Sequence, residues 1–315
     1  MSRTGYLWDS RALGHATSTV HPERPDRIRA LDPNLVLADL PGLQRIPTDL
    51  ALALPWIARV HEPAYTERVR TAFDKGLMAL DAVRETRVCS DTFDVALVAA
   101  AGALSLTGAV ASGRVDNGFA AIRPPGHHAG PSYTRGFCFF NNVAICARYA
   151  QRVHGLDRVL IVDWDVHPAD GTMDIFYEDP SVHLVSVHQD GIFTDQVGRR
   201  DQIGRGDGEG CTYNLPLPPG SGAKEYLADL IPLLEHAAGR CRPDLILISC
   251  GFDAHRADSI SSMKLCDADY GRLTREIRAL ASEYCGGRVV SILEGGYNPP
   301  AMRRAALAHL EALMD

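Results

Sequence analysis

Asp163-Trp164-Asp165-Val166-His167 sets two carboxylates and an imidazole at alternate positions, directly after the apolar run Arg158-Val159-Leu160-Ile161-Val162. A short β-branched run of this kind reads as a buried parallel strand, and residues just past its C-terminal end lie where parallel α/β sheets carry their chemistry. Alternation along an extended chain puts Asp163, Asp165 and His167 on one side, and their mixed oxygen and nitrogen donors suit a divalent metal. A hydrogen-bonded strand end would use the same residues, and the run alone does not choose between the two.

The pattern repeats. Residues 118–122 lead into Arg123-Pro124-Pro125-Gly126-His127-His128, residues 182–187 into His188, residues 244–250 into Gly251-Phe252-Asp253, and residues 288–293 into Glu294-Gly295-Gly296-Tyr297. In a parallel sheet these turns crowd one rim, so His127, His128, Asp165, His167, Asp253 and Tyr297 can meet in one pocket. Asp165, His167 and Asp253 then form a three-ligand set that leaves a coordination position open, the condition for a catalytic zinc. Neighbouring imidazoles at 127 and 128 would each need a partner if buried. They suit acid–base work near neutral pH, with a solvated loop as the alternative. Tyr297, after two glycines, is either an oxyanion donor or a packing tyrosine.

Segments with helical spacing separate the strands, at 64–78, 95–111, 141–153, 226–238, 269–284 and 301–314. Their alternation predicts an α/β fold, one parallel sheet flanked by helices on both faces. The segment 95–111 is apolar nearly all round and predicts a buried helix packed closely through Gly102 and Gly108. Pro299-Pro300 suits the first turn of the last helix. Residues 194–220 read as the longest irregular stretch. Their glycine run 204–210 lacks the Gly-Lys-Ser/Thr ending of a phosphate loop, which leaves a flexible active-site wall as the expectation.

With 315 residues, 46% of them apolar, and no linker or repeat, the chain reads as one domain, 1–315, with ample core. A net charge of -7 with both signs interspersed provides no basic stripe, so nucleic acid is not an expected partner. No apolar stretch approaches the roughly 20 residues of a membrane span, and residues 1–6 lack a signal-peptide core, so a cytoplasmic protein without membrane contact is expected. The 8 cysteines include no C-x-x-C pair. Cys146 and Cys250 lie in apolar runs and read as buried free thiols. Cys138, close to the pocket residues, is either a small core residue or a redox-sensitive one.

Arg123-Pro124-Pro125-Gly126-His127-His128-Ala129, Gly136-Phe137-Cys138-Phe139-Phe140-Asn141-Asn142, Asp163-Trp164-Asp165-Val166-His167, Gly251-Phe252-Asp253-Ala254-His255 and Glu294-Gly295-Gly296-Tyr297 together resemble the zinc-dependent histone deacetylase family. The likeness is to its class II and bacterial deacetylase-like amidohydrolase branch, within the acetylpolyamine amidohydrolase superfamily. It begins at His21-Pro22-Glu23-Arg24-Pro25 and covers nearly the whole chain. It implies the arginase/deacetylase fold and hydrolysis of an acyl amide, with zinc on Asp165, His167 and Asp253. In the same way it implies His128 as general base and acid oriented by Asp170, His127 as its electrostatic partner oriented by Asp163, and Tyr297 as the group polarising the acyl carbonyl. Phe137 and Phe193 would wall an apolar tunnel, and the Gly136 carbonyl would accept the substrate amide N–H. Potassium would lie near Asp163, Asp165, the His167 carbonyl, Ser186 and the Val187 carbonyl. Arg24 would help acetate leave.

The chain departs from the family pattern at Pro168-Ala169, where a second histidine and a glycine are usual, and at Thr194, where a proline is usual. The first bears on the shape of the metal pocket and the second on the tunnel wall. Seven residues after Asp253, at a position that lines the tunnel mouth in the family, stands Ile260, where the polyamine deacetylase resembling this branch carries a glutamate. An aliphatic residue there suits an acyl-lysine side chain better than a polyamine. The substrates in view are an acyl-lysine peptide or a small acylated amine, and a homo-oligomer is left open. A non-catalytic binding protein would have lost one of His128, Tyr297 or the zinc ligands, and all are present.

Overall fold

In a computed structural model, residues 2–193 and 196–315 are described. Eight strands, β1 Thr4–Trp8, β2 Gln44–Arg45, β3 Asn117–Ala121, β4 Val159–Asp163, β5 Val182–Gln189, β6 Thr212–Leu217, β7 Leu245–Cys250 and β8 Val289–Leu293, form a single sheet in the order β2-β1-β3-β8-β7-β4-β5-β6. Every pairing is parallel. Side-chain alternation along each strand feeds two cores. Leu160 and Val162 of β4 join Ile246 and Ile248 of β7 on one face, against the helices Ile231–Cys241, Asp267–Cys285 and Pro299–Met314. Val159 and Ile161 join Leu245 and Leu247 on the other, against Thr92–Ala111 and Asn142–His154. Burial on both faces is why these strands read as continuous apolar runs.

The helix Thr92–Ala111 packs as its glycines imply. A Cβ at Gly102 would stand 2.7 Å from Leu7 Cδ2, and one at Gly108 would stand 2.9 Å from the Tyr149 hydroxyl. At 20 residues it is long and apolar enough to cross a membrane by length and composition, which corrects the expectation that no stretch approaches that size. Of its most apolar window, 78% is buried inside the protein. Asn298 caps the last helix through the Ala301 N–H, with Pro299 in its first turn as expected.

Other expectations are corrected. The helix expected over 64–78 ends early, as Pro63–Arg70, and the chain then turns through Gly76 at φ +72°. The segment 226–238 splits into a π-helical turn Tyr226–Leu230 and the helix Ile231–Cys241, at whose start Pro232 has no N–H to donate. The stretch 194–220 contains β6, an edge strand that tolerates Pro216. Its glycine run lies before β6, at the N-terminal edge of the sheet. There a Cβ on Gly208 would meet the backbone of Tyr177 and Glu178 at 2.7 Å, so this run is no wall of a site at the opposite edge.

Candidate active site

Four adjacent central strands, β3, β8, β7 and β4, deliver their C-terminal turns to one rim, and these turns bring His127, His128, Asp163, Asp165, His167, Asp253 and Tyr297 together. One ligand atom each of Asp165, His167 and Asp253 falls within 4.8 Å of the others. Asp165 Oδ1 lies 2.9 Å from His167 Nδ1, and its Oδ2 accepts the Gly295 N–H at 2.7 Å. Asp253 Oδ1 accepts the Val166 N–H at 2.9 Å, whereas its buried Oδ2, 3.3 Å from His167 Nδ1, makes no hydrogen bond. The carboxylates sit this close because their neighbours are glycines. A Cβ at Gly251 would be 2.4 Å from Asp165 Oδ2, and one at Gly295 would be 2.2 Å from Asp253 Oδ2.

Burial, and then the charge of Asp165, push Asp253 up to about 7. Burial opposes the charge on His167 as well, but its hydrogen bond to Asp165 and the nearby Asp253 carboxylate carry it up to about 10. Two buried carboxylates pressing on each other, an orphaned oxygen and an imidazole are a donor set that a zinc ion fits in type and number.

The histidine pair is built from the loop after β3. Glu294 Oε2, at the end of β8, accepts the N–H groups of Gly126 (2.6 Å) and His127 (3.1 Å) and so fixes that loop. His127 Nδ1 lies 3.1 Å from Asp163 Oδ2, and His128 Nδ1 lies 2.5 Å from Asp170 Oδ1, with the two ring centroids 4.0 Å apart. Both rings are buried, so the solvated-loop alternative is excluded and each has the separate partner that burial demands. Burial works against a charge on His127, yet Asp165 and Asp163 raise it well above the ordinary histidine range. Burial and the neighbouring His127 instead push His128 down to about 4. The Asp170 carboxylate can only accept, so His128 carries its hydrogen on Nδ1 and presents a lone pair on Nε2.

Gly136 (φ +52°) and Phe137 (φ +67°) form a left-handed corner, and a Cβ on Gly136 would strike His128 Cδ2 at 2.3 Å. Only glycine fits there, and the strain at Phe137 turns its ring to within 5.7 Å of the Tyr297 ring. Phe193 stacks on His128 at 4.9 Å and 12°. Thr194, expected to alter the same wall, lies outside the described residues. Cys138 is buried with its thiol directed at the Gly136 carbonyl, 3.3 Å away, and burial raises it well above the ordinary thiol range, as for a core residue. All eight cysteines are free.

Pro168 leaves His167 in the cluster, and its carbonyl accepts the Asp170 N–H at 2.9 Å. Ser186 stands beside Asp163 in the β4–β5 register, with Val187 next to it. The Ser186 hydroxyl meets His188 Nδ1 at 3.0 Å.

Arg24 is half-buried and paired with Asp26 at 3.2 Å, and the arginine against the Tyr297 ring is Arg27, three residues on. Arg27 is fully buried, with Nε donating to the Gly296 carbonyl at 2.7 Å, Nη2 to that of Glu294, and Cζ 4.9 Å from the Tyr297 ring centroid. The sequence pattern points to Arg24 alone, and it is the short helix Asp26–Arg29 that turns Arg27 inward to the tyrosine.

Asp258, an acid close to Ile260 in the sequence that could have supplied a charge at the mouth, has a role there that the sequence did not reveal. Its buried Oδ2 accepts the N–H groups of Tyr297 (2.6 Å) and Asn298 (3.2 Å), and its Oδ1 accepts that of Ile260 (3.1 Å). It is therefore turned inward to backbone donors, and Ile260 stands half-buried beside it.

The sheet and these paired histidines and carboxylates define an α/β protein with its chemistry at the C-terminal edge of a parallel sheet. The family description "Histone deacetylase domain" matches residues 21–313, and the chain belongs to the histone deacetylase family. It is 40% identical over 320 residues to the chloroplastic histone deacetylase 14 of Arabidopsis thaliana, covering 97% of this chain and 75% of that protein. It is 38% identical over 264 residues to the human polyamine deacetylase HDAC10, covering 81% of this chain and 39% of that one. A crystal structure of the HDA15 HD domain superposes with a TM-score of 0.89 at 34% identity, covering 99% of this chain and 88% of the other. The fold is the arginase/deacetylase fold, and the chain is a deacetylase-family hydrolase.

Proposed function

We propose that residues 1–315 act as one zinc-dependent deacetylase domain that hydrolyses Nε-acetyl-lysine in proteins or peptides. The observation that carries this reading is the pair of buried histidine–aspartate couples, one with its imidazole raised and the other lowered, beside Asp165, His167 and Asp253. Zinc held by those three residues would supply the Lewis acidity that polarises an acyl carbonyl and acidifies water. His128, neutral and oriented by Asp170, takes a proton from the attacking water at Nε2 and returns one to the departing amine. His127, held by Asp163, keeps positive charge next to it. Tyr297 donates to the developing oxyanion from a turn fixed by Asp258. Phe137 and Phe193 line the path of the methylenes, and the Gly136 carbonyl accepts the amide N–H. Potassium near Asp163, Asp165, His167, Ser186 and Val187 would complete the cofactors, and Arg24, or Arg27 against the Tyr297 ring, would steer the leaving acetate.

Substrate choice rests on Ile260 and Asp258. Ile260 offers aliphatic surface, and the carboxylate beside it, Asp258, is already committed to three N–H groups, so it does not offset the desolvation of a polyamine's ammonium groups. The relative named a polyamine deacetylase makes small acetylated amines the competing reading. Comparison of kcat/KM for acetyl-lysine peptides with that for acetylspermidine and acetylputrescine tests it. The peptides are expected to be preferred, with Ile260→Glu shifting preference towards polyamines, and a wild-type preference for polyamines would reverse the assignment.

A further inference from the structure

Arg135 stands one residue before Gly136, at the corner that carries the Phe137 wall, and its guanidinium bridges the other side of the site. Nη1 donates to Asp170 Oδ2 at 2.7 Å, on the carboxylate whose other oxygen holds His128. Its Cζ lies 5.5 Å from the Phe193 ring centroid and 5.6 Å from that of Tyr133. The cation therefore sits on the outer side of His128, beside the aromatic face stacked on that imidazole. The Asp170 side chain is 1% exposed and that of Arg135 41%, so one edge of the guanidinium is anchored inside and the other faces water.

The surroundings leave that charge available to a substrate. Asp170 lies buried beneath one edge of the guanidinium, whose outer edge faces water and makes no other hydrogen bond among the described residues. Asp174, the other acid of the helix Asp170–Phe176, accepts from the Tyr133 hydroxyl. Asp258 is turned away to backbone N–H groups. On the other flank of Phe193, Arg200 is exposed and bonds only to the Pro216 carbonyl among the described residues. Exposed Asp190 lines the same groove as Phe193 and Arg200, so the outer edge of Arg135 is the cation set directly against the Phe193 ring on the side of His128.

We propose that Arg135 is a specificity-determining residue, a fixed cation at the tunnel mouth that favours acyl-lysine flanked by carboxylates and disfavours substrates bearing further ammonium groups. The proposal rests on the deacetylase reading and deepens it. An exposed charge pair changes kcat/KM by at most about fivefold at low salt, and the effect shrinks once the screening length falls to a few ångströms.

The test measures kcat/KM for acetyl-lysine peptides flanked by aspartates and by lysines, on the wild type, Arg135→Gln and Arg135→Lys. Glutamine keeps an N–H donor for Asp170 without the charge, and lysine keeps the charge. Taking the ratio cancels any loss of rate from a disturbed His128. The acidic-to-basic ratio is expected near fivefold in the wild type at low salt, roughly retained in Arg135→Lys, and below about twofold in Arg135→Gln and at ~0.5 M salt. The same variants are compared on 6-acetamidohexanoate and N-acetylcadaverine, which carry opposite charges on chains of similar length. Absence of turnover on every peptide would count against the peptide reading. An equal ratio in wild type and Arg135→Gln, on peptides or on the small amides, would overturn the role of Arg135.

Discussion

Removing the Asp258 carboxylate should disable Tyr297 without touching it. In Asp258→Ala the N–H groups of Tyr297, Asn298 and Ile260 lose their acceptor, the first of them in a 2.6 Å contact. Bonds to a charged acceptor are each worth about 1.5–3 kcal/mol, but Asp258 is itself desolvated, and burial raises its carboxyl above the ordinary range. The net loss of folding stability is therefore about 2–3 kcal/mol, well short of three full bonds. The effect on catalysis should be the larger one, because a displacement of roughly 1 Å in a reacting group costs on the order of 10²-fold. Steady-state kinetics on an acetyl-lysine peptide should show kcat lower by roughly 10–100-fold with KM changed much less. Asp258→Ala combined with Tyr297→Phe should be no slower than Tyr297→Phe alone, since a positioning residue has nothing left to position. A kcat within about threefold of wild type, or losses that multiply in the double variant, would refute the positioning argument.

Tyr297→Phe itself should lower kcat by roughly 10²-fold or more with substrate binding largely kept, and His128→Ala should be comparably damaging; near-normal turnover of either would remove that residue from the mechanism. Glu23 should contribute to the loss of stability in acid. Burial opposes its ionisation, yet Arg123 at 2.6 Å and Arg27 at 3.3 Å hold it down at about 2 against an ordinary value of 4.5. A depressed carboxylate stabilises the fold fully above its unfolded value, so about 3 kcal/mol should be lost as pH falls from about 4.5 towards 2. Denaturant titrations should show that loss in the wild type and a flatter pH dependence in Glu23→Gln, and equal slopes in the two would exclude Glu23 as the source.

The site was legible because its polar residues follow immediately on strands buried on both faces, where apolar runs are unbroken. β4, β7 and β8 announce themselves in this way, and a parallel sheet leaves Asp165, Asp253 and Tyr297 only one rim to share. β1 and β6 were not legible, because Gly5 and Pro216 interrupt short segments towards the sheet margins, where packing and not propensity makes a strand. Arg27 was not legible because only the packed face of the short helix Asp26–Arg29 turns it inward against Tyr297. Asp258 belongs to no strand-end motif, and only the fold shows its oxygens buried against the Tyr297 turn. The glycine run 204–210 misled for a topological reason, since it precedes a strand and so falls at the edge of the sheet away from the chemistry.

The most direct test of the account is zinc titration of chelator-stripped wild type and Asp253→Ala, following metal bound and acetyl-lysine peptide hydrolysed in the same samples. Wild-type activity should be absent without metal and rise to a plateau at about one zinc per chain, while Asp253→Ala should neither retain the metal nor recover the rate. Full turnover by the metal-free wild type, or equal zinc content and rate in the two proteins, would contradict the claim that Asp165, His167 and Asp253 hold the zinc of a deacetylase.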